Sequence, residues 1–305
     1  MKFGIIGNIN KGGTLPAILK LIDSLRRRNL DWVLHDRMKG LPALDSAGMF
    51  VPREEMRESC DAIIAFGGDG TMLSTGRMLA GSKAPLIGFN LGNLGFMAEF
   101  SVDAIDETLD EFIGGSCLIV ERSLLEATFP EETGKEPLIA LNDIVIDKRE
   151  TRLMVNLDVT VNEDFLGRYT ADGLIVATPT GSTAYALSVG GPVIVPGAEV
   201  ILLAPIAPHM LTARPVVIPD SSTIEIIPVK SSEKESVHII ADGQNHHYLE
   251  PSSNITIARH RQTVRLVKRA SRTYFDVLRA KLLWGQRPSP EVPSGVTDDG
   301  FGGSF

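Results

Sequence analysis

Cysteine is scarce. Cys60 and Cys117 are the only two, and no Cys-x-x-Cys occurs. That leaves no basis for a zinc-binding cysteine cluster or a disulfide framework, and it points to a reducing compartment. Basic residues are also short, 30 Lys and Arg against 38 Asp and Glu, for a net charge of −8. An acidic chain without a basic block argues against nucleic acid or an anionic membrane as the main partner, although a locally basic pocket for a small anion stays open. No long apolar run is uninterrupted. The most membrane-like stretch, 189–211, holds Glu199 and four prolines, Pro192, Pro196, Pro205 and Pro208. In lipid these would strand backbone polar groups, so the stretch reads as buried core with turns. The N-terminal apolar run is too short for a signal peptide. Several catalytic signatures are missing as well: no Walker A loop, no Gly-x-Gly-x-x-Gly and no Gly-x-Ser-x-Gly elbow. His246, His247 and His260 lack the spacing of a zinc signature and read as exposed loop histidines.

What is present is an ordinary globular composition. The 305 residues are 43% apolar and 22% charged, which fits one or two folded domains rather than a disordered chain or a coiled coil. The first hundred residues alternate between short apolar runs and helical periodicity. Runs at 3–7, 31–35, 62–66 and 85–89 suit buried strands. Leu15, Ile18, Leu19, Ile22 and Leu25 mark one face of a helix over 15–30, and 71–79 suits another helix. This rhythm implies a parallel sheet covered by helices. Beyond about residue 117 the pattern becomes short β-branched segments at 138–146, 153–161, 173–178, 216–218, 224–228, 236–240 and 254–257, as in an all-β, sandwich-like domain. A final helix is expected over 274–283. The last 20 residues carry three Pro and four Gly and read as a disordered tail. The expected division is an α/β domain of 1–117 plus 271–285, a β-rich domain of 118–270, and a tail of 286–305.

Three blocks carry candidate chemistry. Gly67-Gly68-Asp69-Gly70-Thr71 lies between a strand and a helix, where backbone N–H groups and the helix dipole favour phosphate. A carboxylate there would repel phosphate, so Asp69 makes sense as a metal contact or as the acceptor of a hydroxyl proton. A tight turn with Asp as helix cap is the plainer alternative. A second glycine cluster, 88–96, follows the next strand, and loops after adjacent parallel strands meet at the carboxyl edge. The third block runs from Asp172 through Thr178-Pro179-Thr180-Gly181-Ser182-Thr183-Ala184-Tyr185-Ala186-Leu187-Ser188 to Pro192. Seven of the eleven residues from Thr178 to Ser188 are Thr, Ser, Gly or Pro. Small hydroxyls can wrap a polar ligand, Tyr185 offers a ring to a base, and Asp172 can accept from an exocyclic amine. A Ser/Thr-rich surface turn is the competing reading. Asn142-Asp143 and Asp242-Gly243-Gln244 are each compatible with plain turns.

In this order the blocks GGDGT (67–71), LGNLGF (91–96), ND (142–143), DGLIVATPTGSTAYALSVGGP (172–192) and DGQ (242–244) closely resemble the NAD kinase family, over residues 3 to about 285. GGDG alone is shared with phosphofructokinases and with diacylglycerol and sphingosine kinases; the GSTAY block sets NAD kinases apart. The resemblance implies transfer of the terminal phosphoryl group of ATP to the 2′-hydroxyl of the adenosine ribose of NAD, giving NADP. It also implies a divalent ion such as Mg²⁺, a site between two domains, a last helix returning to the first domain, and a cytoplasmic homo-oligomer, dimer or tetramer. Asp69 matches the catalytic Asp and is an indirect candidate for touching the metal, whose ligands stay open. Gly67, Gly68, Gly70 and Thr71 match the phosphate loop. Asn142 and Asp143 match an Asn-Glu pair contacting NAD, and Asp172 matches a reader of the adenine amino group. Thr183, Ala184, Tyr185, Ala186, Leu187 and Ser188 match the adenosine pocket, and Gln244 the site's edge. Asp143 is one methylene shorter than the family's Glu. Thr170 stands where many members have Arg; the nearest arginine upstream is Arg168, and Arg152 is the candidate replacement charge. The rival readings are a GGDG-type lipid kinase and a non-catalytic NAD(P)-binding regulator.

Overall fold

A computed structural model of the chain describes residues 1–9, 11–92, 95–148, 154–229, 236–250 and 252–283. Arg152, Asn93, Leu94 and the expected tail lie outside the described residues. The chain divides into two compact units at Ser271/Arg272.

The first unit starts with a mainly parallel sheet. Its strand order is Met49–Val51, Asp31–His35, Lys2–Gly7, Ala62–Gly67, Leu86–Asn90, Val264–Lys268, Leu118–Arg122, with Phe100–Ser101 also beside Leu86–Asn90. The strand Ala62–Gly67 is buried throughout because its alternate side chains serve two cores. Ile64 and Phe66 pack with Ile18, Leu21, Ile22 and Leu25 of the helix Thr14–Arg27 and with Ile105 and Leu109 of the helix Ile105–Ile113. Ile63 and Ala65 share the opposite core with Met56, Met72 and Leu73, from the helices Arg53–Ser59 and Asp69–Met78. The sheet grows in one direction from Lys2–Gly7 through Asp31–His35 and in the other through Ala62–Gly67. The carboxyl ends at Gly7 and Gly67 therefore flank a topological switch point, where open α/β sheets bind ligands.

Two strands from the 118–270 segment also belong to this sheet. Val264–Lys268 runs parallel to Leu86–Asn90 and antiparallel to Leu118–Arg122. The remaining strands form two antiparallel six-stranded sheets. One runs Val216–Pro219, Val200–Ile206, Gly173–Ala177, Asp143–Lys148, Val237–Ala241, Asn245–Leu249. The other runs Asp164–Ala171, Val155–Val161, Ile224–Val229, Ile255–Arg259, Leu125–Thr128, Leu138–Ala140. Alternate residues of both, among them Ile144, Ile146, Leu174 and Val176 against Leu157, Val159, Ile224 and Ile257, close a common core, as a sandwich requires.

Two local expectations change, and a third gains detail. The single strand expected over 138–146 is two strands in different sheets, interrupted at Leu141-Asn142. Inside the stretch 189–211 is the strand Val200–Ile206. It tolerates Pro205 because the neighbour Val216–Pro219 pairs only as far as Leu203, so no partner needs the missing N–H. His246 and His247 sit on the strand Asn245–Leu249 rather than in a loop, with the His247 ring 5.2 Å from that of Phe129; His260 is buried.

The second unit is described by the helix Tyr274–Leu282. A reciprocal cap starts it: Asp276 N–H donates to Thr273 Oγ1 (3.2 Å) and Thr273 N–H donates to Asp276 Oδ2 (2.9 Å). Among the described residues no helix is long and apolar enough to cross a membrane.

Candidate active site

The helix after Ala62–Gly67 begins at Asp69, two residues earlier than its periodicity suggests, with Gly68 as N-cap. Glycine at 67 is a steric requirement: a Cβ there would lie 2.3 Å from Thr71 Oγ1. The first turn's N–H groups therefore open at the switch point, with Asp69 half-buried and Gly70 exposed.

The two glycine loops meet at Asp69. Its Oδ1 accepts from Met97 N–H (3.4 Å), and a Cβ on Gly95 would lie 2.1 Å from the same oxygen. A buried ion pair supports this second loop. Lys268 Nζ donates to the Phe96 carbonyl (3.2 Å) and pairs with Glu99 Oε2 at 2.9 Å, while Glu99 Oε1 accepts from Arg269 N–H (3.2 Å). Burial pulls the Lys268 ammonium below the usual lysine range, with the charges of Glu99 and, more weakly, Asp69 acting against it. Sequence reasoning missed Lys268, whose only signal is a cation closing an apolar strand.

The Asp242-Gly243-Gln244 turn joins the Asp69 helix to the start of the strand Asp143–Lys148. The Asp242 carboxylate is fully buried and accepts from three successive N–H groups, Leu141 (3.0 Å), Asn142 (2.7 Å) and Asp143 (3.2 Å). It also receives Arg77 Nη1 from the Asp69 helix. Arg77 Nη2 donates to Gln244 Oε1 (2.6 Å), and Gln244 Nε2 donates to the Gly70 carbonyl (2.9 Å). These bonds explain the interruption at 141–142, because a side chain replaces the ladder partner of those amides. Burial first, and then the charge of Asp242, push the Asp143 carboxyl up to about 7.

The third block is anchored to the same place. Thr178 N–H donates to the Asn142 carbonyl (2.8 Å), and its Oγ1 donates to the Leu141 carbonyl (2.6 Å) and accepts from Gly181 N–H (3.1 Å). A Cβ on Gly181 would sit 2.0 Å from the Asn142 oxygen, so only glycine permits this approach. Several hydroxyls are used internally. Ser182 Oγ donates to Pro179 O (2.7 Å) and accepts from Ile194 N–H (3.0 Å), and Thr183 Oγ1 donates to Thr180 O (3.2 Å). Ala186 is buried with Val145, Ile175 and Leu202, and Leu187 is half-buried. Ser188 is exposed, as is the ring of Tyr185, which opens the one-turn helix Tyr185–Ser188.

Other expected site residues stand apart. Asp172 Oδ1 accepts from Lys148 Nζ (2.5 Å). It lies at the opposite end of Gly173–Ala177 from Thr178, roughly 20 Å away for six extended residues. Thr170 Oγ1 donates to Asn156 Oδ1 (2.6 Å), and Arg168 holds both oxygens of Asp158 at 2.6 Å.

Two family models match the chain, the ATP-NAD kinase N-terminal domain over residues 3–117 and the ATP-NAD kinase C-terminal domain over residues 141–269. The chain belongs to the ATP-NAD kinase family. It is 39% identical over 291 residues to an NAD kinase of Chlorobium phaeobacteroides, covering 95% of this chain and 99% of that one. It is 40% identical over 285 residues to an NAD kinase of Prosthecochloris aestuarii, covering 93% and 98%. A crystal structure of yeast NADH kinase complexed with NADH shares the fold, with a TM-score of 0.86 at 24% identity, covering 94% of this chain and 88% of that one. An NAD kinase from Archaeoglobus fulgidus in complex with ATP gives a TM-score of 0.75 at 25% identity, covering 93% and 99%. In this ATP-NAD kinase chain, Asp69, Gly70, Asn142, Asp143, Thr178, Gly181 and Gln244 form one hydrogen-bonded neighbourhood with the glycine loop 95–97.

Proposed function

We propose that the chain is an NAD kinase, phosphorylating the 2′-hydroxyl of the adenosine ribose of NAD with ATP to give NADP. One observation carries the reading: a half-buried carboxylate, Asp69, stands at the N-terminus of a helix where two glycine loops meet. The amides of 68–70 offer donors to phosphate oxygens while Asp69 offers an acceptor to a hydroxyl. In the transfer, the ribose 2′-oxygen bonds to the γ-phosphorus, the bond from that phosphorus to the β,γ-bridging oxygen breaks, ADP leaves, and Asp69 takes the hydroxyl proton. A carboxylate is a far weaker base than a ribose alkoxide, so little free alkoxide forms beforehand. The proton therefore moves late, as a loose phosphoryl transition state allows. Positioning can supply ~7–11 kcal/mol of barrier reduction, and one general base ~10²–10⁴-fold, so geometry outweighs basicity.

Tyr185 stacks on the base, and Asn142 with the 183–188 segment frames the ribose. Asp172, paired with Lys148, is left out of this grip. Among the described residues no three His, Cys, Asp or Glu side chains gather to hold a metal. Asp69 as one oxygen ligand beside nucleotide phosphates fits the way Mg²⁺ is held in phosphoryl-transfer sites. When bound, such an ion would neutralise charge on the transferring phosphate. The reading includes a cytoplasmic homo-oligomer; two free thiols, Cys60 and Cys117, suit a reducing compartment. The test is NADP formation from NAD, ATP and Mg²⁺, with diacylglycerol or sphingosine offered as rival acceptors. Phosphorylation of lipid but not NAD overturns the proposal.

A further inference from the structure

We propose that Arg77, Asp242 and Gln244 are positioning residues of the transfer: they set the distance between the Asp69 helix and the Asn142 side of the site without touching the reacting atoms. The inference rests on the NAD kinase reading above. Gly70 and Arg77 lie seven residues apart on one face of the Asp69 helix. Both are tied to the same turn, Gly70 through Gln244 Nε2 at 2.9 Å and Arg77 through Gln244 Oε1 at 2.6 Å and through Asp242. The helix cannot slide or roll against the turn without losing several bonds together. The turn is fixed in its other direction by the three amides of 141–143 on Asp242. The Asn142 carbonyl in turn receives Thr178 N–H at 2.8 Å, which sets the start of the 178–188 loop. One buried carboxylate thus gives the Asp69 helix, the 141–143 segment and the 178–188 loop a common origin.

Asp242 (φ 51°) and Gly243 (φ 66°) take the left-handed turn that an Asp-Gly pair favours between the strands Val237–Ala241 and Asn245–Leu249. Four donors converge on the Asp242 carboxylate. The Arg77 side chain is only 10% exposed and that of Asp242 0%, so neither is a solvated surface charge paired by chance. A plain hairpin turn needs no carboxylate with four donors and no arginine from a distant helix.

The test compares Arg77→Met, Arg77→Lys, Asp242→Asn and Gln244→Ala with the wild-type chain, measuring kcat, KM for NAD and the NAD dissociation constant. Arg77→Met and Asp242→Asn should each lower kcat at least 10-fold, with NAD dissociation changed less than 3-fold. The double variant should be no worse than the poorer single, and Arg77→Lys should recover part of the loss. Gln244→Ala, at an exposed position, should lower kcat 3-fold or more with its melting temperature unchanged; it keeps the test open should the buried variants fail to fold. Turnover within 2-fold of wild type in Arg77→Met or Gln244→Ala overturns the inference. So does a rise in KM for NAD at constant kcat, which would mark direct substrate contacts. A wild-type chain that makes no NADP overturns the functional reading instead, and that result is visible before any variant is made.

Discussion

Gly95 leaves the space that Asp69 occupies: a Cβ at position 95 would stand 2.1 Å from Asp69 Oδ1 and 2.9 Å from its Cγ. Asp69 has only two side-chain torsions with which to yield, and its Met97 N–H donor lies on the same loop. Gly95→Ala should therefore turn the carboxylate away and lower kcat about 10- to 100-fold, as small misplacements of reacting groups do. Steady-state kinetics with NAD varied checks this; turnover equal to wild type would mean that the orientation of Asp69 is immaterial.

Tyr185 is 45% exposed, so its ring holds little of the fold together. Tyr185→Ala should leave the melting temperature nearly unchanged and weaken NAD binding by ~1–3 kcal/mol, about 5- to 150-fold. Calorimetric titration with NAD measures it. An unchanged dissociation constant would show that the base sits elsewhere.

Asp143 predicts a pH dependence of stability. Its pKa is pushed up to about 7 in the fold, by burial first and by the charge of Asp242 second. Below ~3.9 both the folded and the unfolded chain carry this proton, and stability is undiminished. As pH rises from there toward 7, the unfolded chain gives up a proton that the fold retains, so stability is lost across that window and levels off above it. Asp143→Asn does not titrate. Its unfolding free energy relative to wild type should rise by roughly 2–3 kcal/mol between pH 5 and pH 8, read from denaturant melts at both values. A difference independent of pH would contradict the assignment.

Thr178 is buried and its hydroxyl serves two backbone groups, Leu141 O and Gly181 N–H. Thr178→Val keeps the shape and strands both, at a cost of ~1–3 kcal/mol. Thermal denaturation should show the loss, and KM for NAD should rise because the 178–188 loop loses its anchor. If neither changes, the loop is held by other means.

The buried strand Ala62–Gly67 was legible because both its faces are apolar, and the glycine and hydroxyl-rich blocks were legible because few residue types fit those turns. Leu118–Arg122 and Val264–Lys268 were not, since their pairing joins residues over 140 positions apart and the first is an exposed edge strand. Arg77 reads in sequence as a cation in a helix's last turn, and Asp242 as a turn former. Only the fold brings Arg77 and three amides onto one carboxylate. The hydroxyls of Thr178 and Ser182 have the composition of ligand contacts, but they satisfy backbone groups of their own loop. Composition states what a segment can bond, and topology decides which partner arrives first.

Asp69→Asn keeps the shape of the side chain and removes its capacity to accept a proton. Turnover and the NAD dissociation constant, measured together on this variant with ATP and Mg²⁺, test the account at its centre. NADP formation should fall at least ~100-fold with NAD affinity within 3-fold of wild type. Near-normal turnover with intact NAD binding would contradict it.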